Sequence, residues 1–235
     1  MAYVDDLTAD VNDIVKSHLE NRSGQVVPTT DSVTMKQSVT VDATYLFADL
    51  AGSSTVAAKL NKAVAAAVIR GFLRTASSII RNRGGEIRSY DGDRVMGIFM
   101  GGSKNTEAAK AGLQIHWAVL NILRPALKAK WSDIENYYVA DHGVGIATGE
   151  SLIVKGGVHG SNDLASIGQP PNIAAKLSDK RTSYKTYITA DVYGMLDATS
   201  KIGGDPKRDM WTILPNEVIG GVSVAVRGST FWWKP

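Results

Sequence analysis

An apolar run, Thr44-Tyr45-Leu46-Phe47-Ala48, ends in a carboxylate, Asp49. Leu50-Ala51-Gly52-Ser53-Ser54 follows as a short Gly/Ser turn, and a long helical pattern begins behind it. A run that apolar must be buried in a sheet, and the helix that follows directly must cover that sheet. The arrangement also has chemical potential. Turn amides at a helix start favour an anion, and a carboxylate oxygen suits Mg²⁺ or Mn²⁺. Alone, it is equally a strand edge with a solvated aspartate.

A second stretch changes that balance. In Glu86 to Phe99, two short β-like runs flank Asp91-Gly92, a dipeptide that favours a tight hairpin. Asp93 is then expected just past the tip, at the start of the second strand. If the hairpin pairs beside the strand that ends at Asp49, the two carboxylates converge.

Around this centre the expected elements alternate. Residues 5 to 21 form a short amphipathic helix that packs on its own domain, and Asn21 to Gln37 is a linker arm. Val39 to Asp49 is a strand. A helix capped by Ser53 or Ser54 runs to about Asn82, where Gly84-Gly85 ends it. Ser103 to about Lys130 is a second long helix, bent or ended by Pro125. His142 to Ala147 and Ser151 to Val154 are strands, with a turn at Gly156-Gly157. Leu164 to Ile167 is a strand, Asn172 to Asp179 a short helix, Thr186 to Thr189 a strand and Ala190 to Leu196 a short helix. Glu217 to Arg227 and Thr230 to Trp233 are edge strands. The fold class is therefore α+β, a central sheet covered by helices. Residues 1–37 form a helix and linker arm, and 38–235 one catalytic domain.

Composition removes several chemistries. The 235 residues include no cysteine, so there is no disulfide, thiolate zinc site or cysteine nucleophile. No run approaches a membrane span, and the acidic N-terminus is not a secretory signal, so the expected location is cytoplasmic. A net charge of +3 from scattered Lys and Arg leads to no expectation of a nucleic-acid or membrane partner. Neither a G-x-S-x-G elbow nor a Walker A loop occurs. The histidines His18, His116, His142 and His159 lack metal-ligand spacing.

Four blocks carry a resemblance. They are Phe47 to Ser53, Gly92 to Phe99, Gly143 to Glu150 and Ile167 to Leu177, and in order and spacing they resemble the class III adenylate/guanylate cyclase catalytic domain, with its ferredoxin-like core. That resemblance implies a metal-dependent phosphoryl transfer in which the ribose 3′ oxygen attacks the α-phosphorus and pyrophosphate leaves. It implies two Mg²⁺ or Mn²⁺ ions held by Asp49, Asp93 and the Leu50 carbonyl, with Ala51, Gly52, Ser53 and Ser54 around the phosphates. Asn172 matches the residue that orients the ribose. Lys176 stands where the family usually has arginine, which keeps the charge and loses the bidentate fork. Arg227 is a loose match to a triphosphate-binding residue. The family's sites are shared between two protomers, which implies a homodimer.

Base selection is where the chain departs from the purine cyclases. Ser89 and Ala165 occupy the two base-reading positions, so neither the Lys/Asp pair nor the Glu/Cys pair is present. A buried polar reader rejects the wrong base strongly, and its loss points away from purines. The chain resembles the uridylate cyclases of bacterial Pycsar anti-phage systems, which implies UTP as substrate, cyclic UMP as product and a separate cyclic-nucleotide-responsive effector. Cytidylate and adenylate cyclase are the alternatives, and a cyclase-fold regulatory module is the alternative of another class. Tyr45, Arg88, Ser89, Ala165 and Ser166 are the candidates to line the base pocket.

Overall fold

A computed structural model describes residues 2–158 and 161–235, so His159 lies outside the described residues. The chain forms two compact units, Met1–Val41 with Leu152–Ile167, and Asp42–Ser151 with Gly168–Pro235.

In the first unit, α1 is Ala2–Lys16. Its apolar residues Val4, Leu7, Val11 and Ile14 recur at three- and four-residue spacing, yet every residue of the helix is exposed. The expectation that it packs on its own domain therefore fails. The supposed linker is partly ordered: β1, Glu20–Ser23, runs parallel to the start of β2, Gln37–Leu50. The Asn21 side chain accepts from Ser38 and Thr40, each at 3.1 Å, which fixes the register.

The second unit holds the core. After β2 come α2, Ser53–Lys59, and α3, Lys62–Asn82. One long helix is replaced by two because Asn61 adopts an extended conformation and its side chain accepts from Val64 N at 3.0 Å, starting a new helix. The cap of α2 is Gly52 at φ 72°, not Ser53 or Ser54. β3, Glu86–Asp91, and β4, Arg94–Phe99, form the hairpin. Asp91 pairs with Arg94, so the turn is Gly92-Asp93, with glycine (φ 59°) at its first central position. Asp93 lies in the turn itself, one residue earlier than expected.

α4, Lys104–Ala118, widens into a π-helical turn, Val119–Leu123, before α5, Arg124–Lys130. Pro125 lies two residues past the π-helical turn in a continuous helix, and the wider turn relieves its ring. β5, His142–Val158, is one 17-residue strand; Gly156 and Gly157 continue it rather than turning. In the first unit its far part pairs with β6, Ser161–Ile167. α6, Gln169–Ser178, begins three residues earlier than expected, with Pro170 and Pro171 in its first turn.

β7, Thr186–Thr189, leads into α7, Ala190–Gly194, and α8, Ala198–Lys201. The short strands β8, Ile202–Gly203, and β9, Arg208–Asp209, pair with each other. β10, Thr212–Ile213, joins the main sheet, and β11, Glu217–Ile219, with β12, Val222–Val224, makes a separate hairpin. β13, Val226–Ser229, is internal to the main sheet, between β10 and β7, and Thr230 to Trp233 forms no strand.

The main sheet runs β10-β13-β7-β5-β2-β4-β3. Leu46, Ala48 and Leu50 of β2, Phe72 and Ile80 of α3, Leu113 and Ile115 of α4 and Trp211 build one buried cluster on it. By length and composition α3 is apolar enough to cross a membrane, but its apolar side lies in this cluster. Thr44 ties three elements together, sharing hydrogen bonds of 2.9 Å with both Asn105 of α4 and Thr148 of β5.

His116 and His142 are buried side by side, with ring centroids 5.4 Å apart and the rings tilted at 54°. Burial, helped by the cations of Lys185 and Arg124 and by His116, pushes the His142 imidazole down to about 3 against the pull of Asp141. The unfolded chain thus takes up a proton below about pH 6.5 that the native chain refuses until about pH 3. Stability falls as pH falls through that window, by about 1.4 kcal/mol per pH unit from this group. His142→Leu is expected to flatten the decline in denaturant midpoint between neutral pH and about pH 4.5. An unchanged slope would remove His142 from the account.

Candidate active site

β2 delivers Asp49 to the edge of the core, 7 % exposed, and β4 runs antiparallel beside it with Asp49 opposite Arg94. Leu50 N donates to Asp93 O at 3.4 Å. The hairpin turn therefore brings Asp93 against the end of β2, as the sequence suggests. Asp93 Oδ2 is buried with no hydrogen-bond partner.

Asp49 is gripped by two arginines. Its Oδ1 accepts from Arg94 Nε at 3.2 Å and its Oδ2 from Arg181. Arg94 also pairs with Asp179, and Arg181 donates to the carbonyl oxygens of Ser178 (2.6 Å) and Lys180 (3.1 Å). Burial pushes the Asp49 carboxyl above its ordinary value; Arg94 and Arg181 oppose that, and Asp93 adds to it. Asp49 is thus a buried carboxylate whose charge is offset by two guanidinium groups, while the Asp93 oxygen beside it has no such partner among the described residues.

The loop after Asp49 is anchored by its backbone. Ala51 N donates to Asp141 O at 2.8 Å, and Tyr138 Oη donates to Ala51 O at 2.8 Å. Asp141 meets Lys185 at 2.6 Å. Burial opposes ionisation of Asp141, but Lys185 and the His142 amide hold it below the usual carboxylate range. The Ala51 amide is therefore spent on this anchor, which leaves those of Gly52, Ser53 and Ser54 for an anion.

Asn172 and Lys176 lie one turn apart on α6 and open onto a small pocket of about 270 Å³ under the β11–β12 hairpin. Among the described residues no hydrogen bond or ion pair joins either directly to Asp49 or Asp93, although Lys176 approaches Asp179, which pairs with Arg94 beside Asp49. Lys176 is exposed and reaches Asp179 at 4.0 Å. Arg227 is fastened elsewhere: its guanidinium lies over the Tyr193 ring at 3.7 Å from the centroid, 3.3 Å from Trp211 O and 3.7 Å from Asp209.

Of the base-pocket candidates in the second unit, Tyr45 is fully buried opposite Ile98, with its hydroxyl lacking a partner. Ser89 is half-buried opposite Met96, and Arg88 sits at a register shift in edge strand β3. In the first unit, Ala165 is exposed on β6 and Ser166 half-buried beside it. Sequence reading missed Arg94 and Arg181 as neighbours of Asp49. Arg94 carries a signal, adjacency to Asp93; Arg181 carries none.

Among the described residues no group of three His, Cys, Asp or Glu stands ready for a metal. A hard divalent ion bound through one or two carboxylates, with water and substrate phosphate completing its shell, still fits here. The unpartnered Asp93 oxygen beside the buried Asp49 is the observation that favours it.

The mixed sheet with its covering helices superposes on solved class III nucleotidyl cyclases and shares their fold. The adenylyl cyclase CyaB of P. aeruginosa superposes with a TM-score of 0.67 at 18 % identity, over 82 % of this chain and 95 % of that one. The guanylyl cyclase Cya2 superposes with a TM-score of 0.66 at 16 % identity, over 83 % and 95 %. No protein-family model matches the chain. The uridylate cyclase of Rhodovulum sp. (strain MB263) is 39 % identical over 100 % of this chain and 99 % of its own length. Those of Xanthomonas perforans and Burkholderia cepacia are 38 % and 39 % identical, each over 90 % of this chain. The chain belongs to the uridylate cyclase family and is a nucleotide cyclase.

Proposed function

We propose that the protein converts UTP to 3′,5′-cyclic UMP and pyrophosphate, as a cytoplasmic homodimer whose product activates a separate effector in anti-phage defence. Residues 38–235 are the catalytic domain of this reading. Its chemistry is carried by one observation, the convergence of Asp49 and Asp93 with a buried Asp93 oxygen left unpartnered. The choice of uracil rests on the full-length similarity to uridylate cyclases.

Asp49, Asp93 and the Leu50 carbonyl hold two Mg²⁺ or Mn²⁺ ions. Bound there, the ions supply positive charge against the attacking and leaving oxygens. The amides of Gly52, Ser53 and Ser54 receive the phosphates. Asn172 orients the ribose so that its 3′ oxygen lies in line with the α-phosphorus, and Lys176 neutralises charge on the α-phosphate. The similarity to cyclases, whose sites are shared between protomers, supports a site to which Asn172 and Lys176 contribute from a second protomer. Arg227, locked over Tyr193, has its charge engaged within its own chain and is a weak candidate for the triphosphate. Tyr45, Arg88, Ser89, Ala165 and Ser166 remain the base-pocket candidates.

The test is the pure protein with each of the four NTPs and Mn²⁺, with cyclic products identified by mass. Cyclic UMP is expected as the dominant product. Cyclic CMP or cyclic AMP in its place would reassign the base, and no product from any NTP would support a regulatory binding module instead.

A further inference from the structure

Helix α3 carries Lys62, Arg70, Arg74 and Arg81 and not one Asp or Glu in its 21 residues. All four cations are exposed. Several cations elsewhere are paired among the described residues, Arg83 with Glu107, Lys128 with Glu135, Lys180 with Glu217 and Lys185 with Asp141, while others such as Lys59 and Lys130 are not; what sets α3 apart is that its cations share one helix with no acid on it. Among the described residues none of the four on α3 has a carboxylate partner or a side-chain hydrogen bond. Their scatter along the sequence hides what the helix does with them. Arg70 and Arg74 are one turn apart, and Arg81, eleven residues from Arg70, returns to nearly the same side about 16 Å along the axis. Like charges one turn apart destabilise a helix by a few tenths of a kcal/mol. An unopposed row of this kind is what a polyanion would neutralise.

The row lines a groove of about 1220 Å³, open along its length. Ser77, Ser78 and Asn82 add hydrogen-bonding groups, and Tyr90 of β3 stands beside them. The Tyr90 ring is 57 % exposed, and its hydroxyl is held by Ser77 Oγ at 3.1 Å. The ring is thus fixed from its polar end with its apolar body in solvent. Neighbouring strand residues face opposite sides of a sheet, so Tyr90 points away from the side of Ser89, the candidate base reader. None of the groups around Asp49 lines the groove.

We propose that this groove binds the phosphate backbone of a single-stranded nucleic acid. Arginine forks match phosphate oxygens bidentately, and the three cations that line the groove, Arg70, Arg74 and Arg81, are all arginine. A basic track beside an exposed aromatic ring is the pattern that holds single strands, through backbone charge and base stacking. The groove's length suits several consecutive phosphates rather than one. The acidic residues nearest in sequence, Glu86 and Asp91 on β3, lie at the two ends of that strand rather than on the helix.

The test is fluorescence anisotropy of a labelled oligonucleotide of about 15 nucleotides on the full-length protein, titrated in salt from about 50 to 200 mM. The wild type is expected to bind, more weakly as salt rises. The triple variant R70Q/R74Q/R81Q is expected to lose at least tenfold in affinity. Its slope of log affinity against log salt should be shallower by about 2, at roughly 0.7 per phosphate contact. Its circular dichroism, melting and basal cyclase turnover should not change, because the arginines are exposed and outside the active site. Tyr90→Leu should weaken the single strand several-fold and leave a duplex of the same length unaffected. Tripolyphosphate at equal phosphate concentration should compete poorly. The proposal is overturned if the wild type does not bind at low salt, if the triple variant binds like the wild type, or if tripolyphosphate competes as well as the oligonucleotide.

Discussion

Asp93→Asn is expected to lower cyclisation by roughly 10³-fold while leaving the melting temperature at or slightly above that of the wild type. Asp49→Asn is expected to lose activity to a similar degree and to melt lower. The two carboxylates do the same chemistry in the proposed mechanism, yet they differ inside the fold. Among the described residues Asp93 Oδ2 has no hydrogen-bond partner, so neutralising that oxygen removes no hydrogen bond and relieves repulsion on Asp49. Asp49 accepts from Arg94 and Arg181. Its amide replacement leaves two cations short of a counter-ion, partly compensated because Arg94 keeps Asp179 and Arg181 keeps two carbonyls. With both arginines partly exposed, that loss is about 1 kcal/mol. Product formation from UTP with Mn²⁺, read beside a thermal melt, separates the two effects. An Asp93→Asn enzyme within tenfold of wild-type turnover would remove the two-carboxylate site from the mechanism.

The convergence of Asp49 and Asp93 was legible before any coordinates because both ends are fixed locally. A strand ending in Asp49 and a hairpin tip beside Gly92 each follow from neighbours in sequence, and one antiparallel pairing brings them together. Arg181 was not legible: it reaches Asp49 across 132 residues, and nothing in Lys180-Arg181-Thr182 announces a contact. Asp49 is therefore better described as a counter-ion shared by two guanidinium groups than as a free ligand. A cation arriving at Asp49 must work against Arg94 and Arg181, or use the oxygen that Asp93 leaves open.

Boundaries were less legible than centres. The break at Leu60-Asn61 is hidden in the sequence because apolar positions continue at helical spacing on both sides, while the interruption depends on one side-chain cap. Gly52 rather than Ser53 starts α2 because the loop is set from outside, by the Ala51 contacts to Asp141 and Tyr138. Gly156 and Gly157 read as a turn, yet ladder pairing with Asp163 and Asn162 keeps them in the strand, Gly157 at φ 110°. The Asn61 cap is a local contact that the apolar pattern hides, whereas at Gly52 contacts from distant residues override the local preference.

Gly145→Ala is the second large effect, and it tests how α6 is held. Gly143 and Gly145 lie two apart on β5 and so share one face of the strand. Helix α6 sits directly on that face. A Cβ on Gly145 would meet Ser178 N at 2.5 Å and Leu177 Cβ at 2.7 Å, and would come closer still to Ala174 O. Two of these are backbone atoms of the helix, which no rotamer change can clear, so α6 must lift off the sheet. The expected cost is about 3 kcal/mol, a fall in melting temperature of about 6–12 °C for a chain of this size. Activity should fall with it, since α6 carries Asn172 and Lys176. Gly143→Ala strikes the same helix differently: its Cβ would crowd Ser178 O and lie 2.8 Å from Arg181 Nη1, disturbing the hold on Asp49 as well. Gly156→Ala is the control, because its Cβ meets nothing within 4 Å and should leave stability within about 0.5 kcal/mol of wild type. A Gly145→Ala protein that melts like the wild type would show that α6 does not rest on the glycine face, and the placement of Asn172 and Lys176 would need another support.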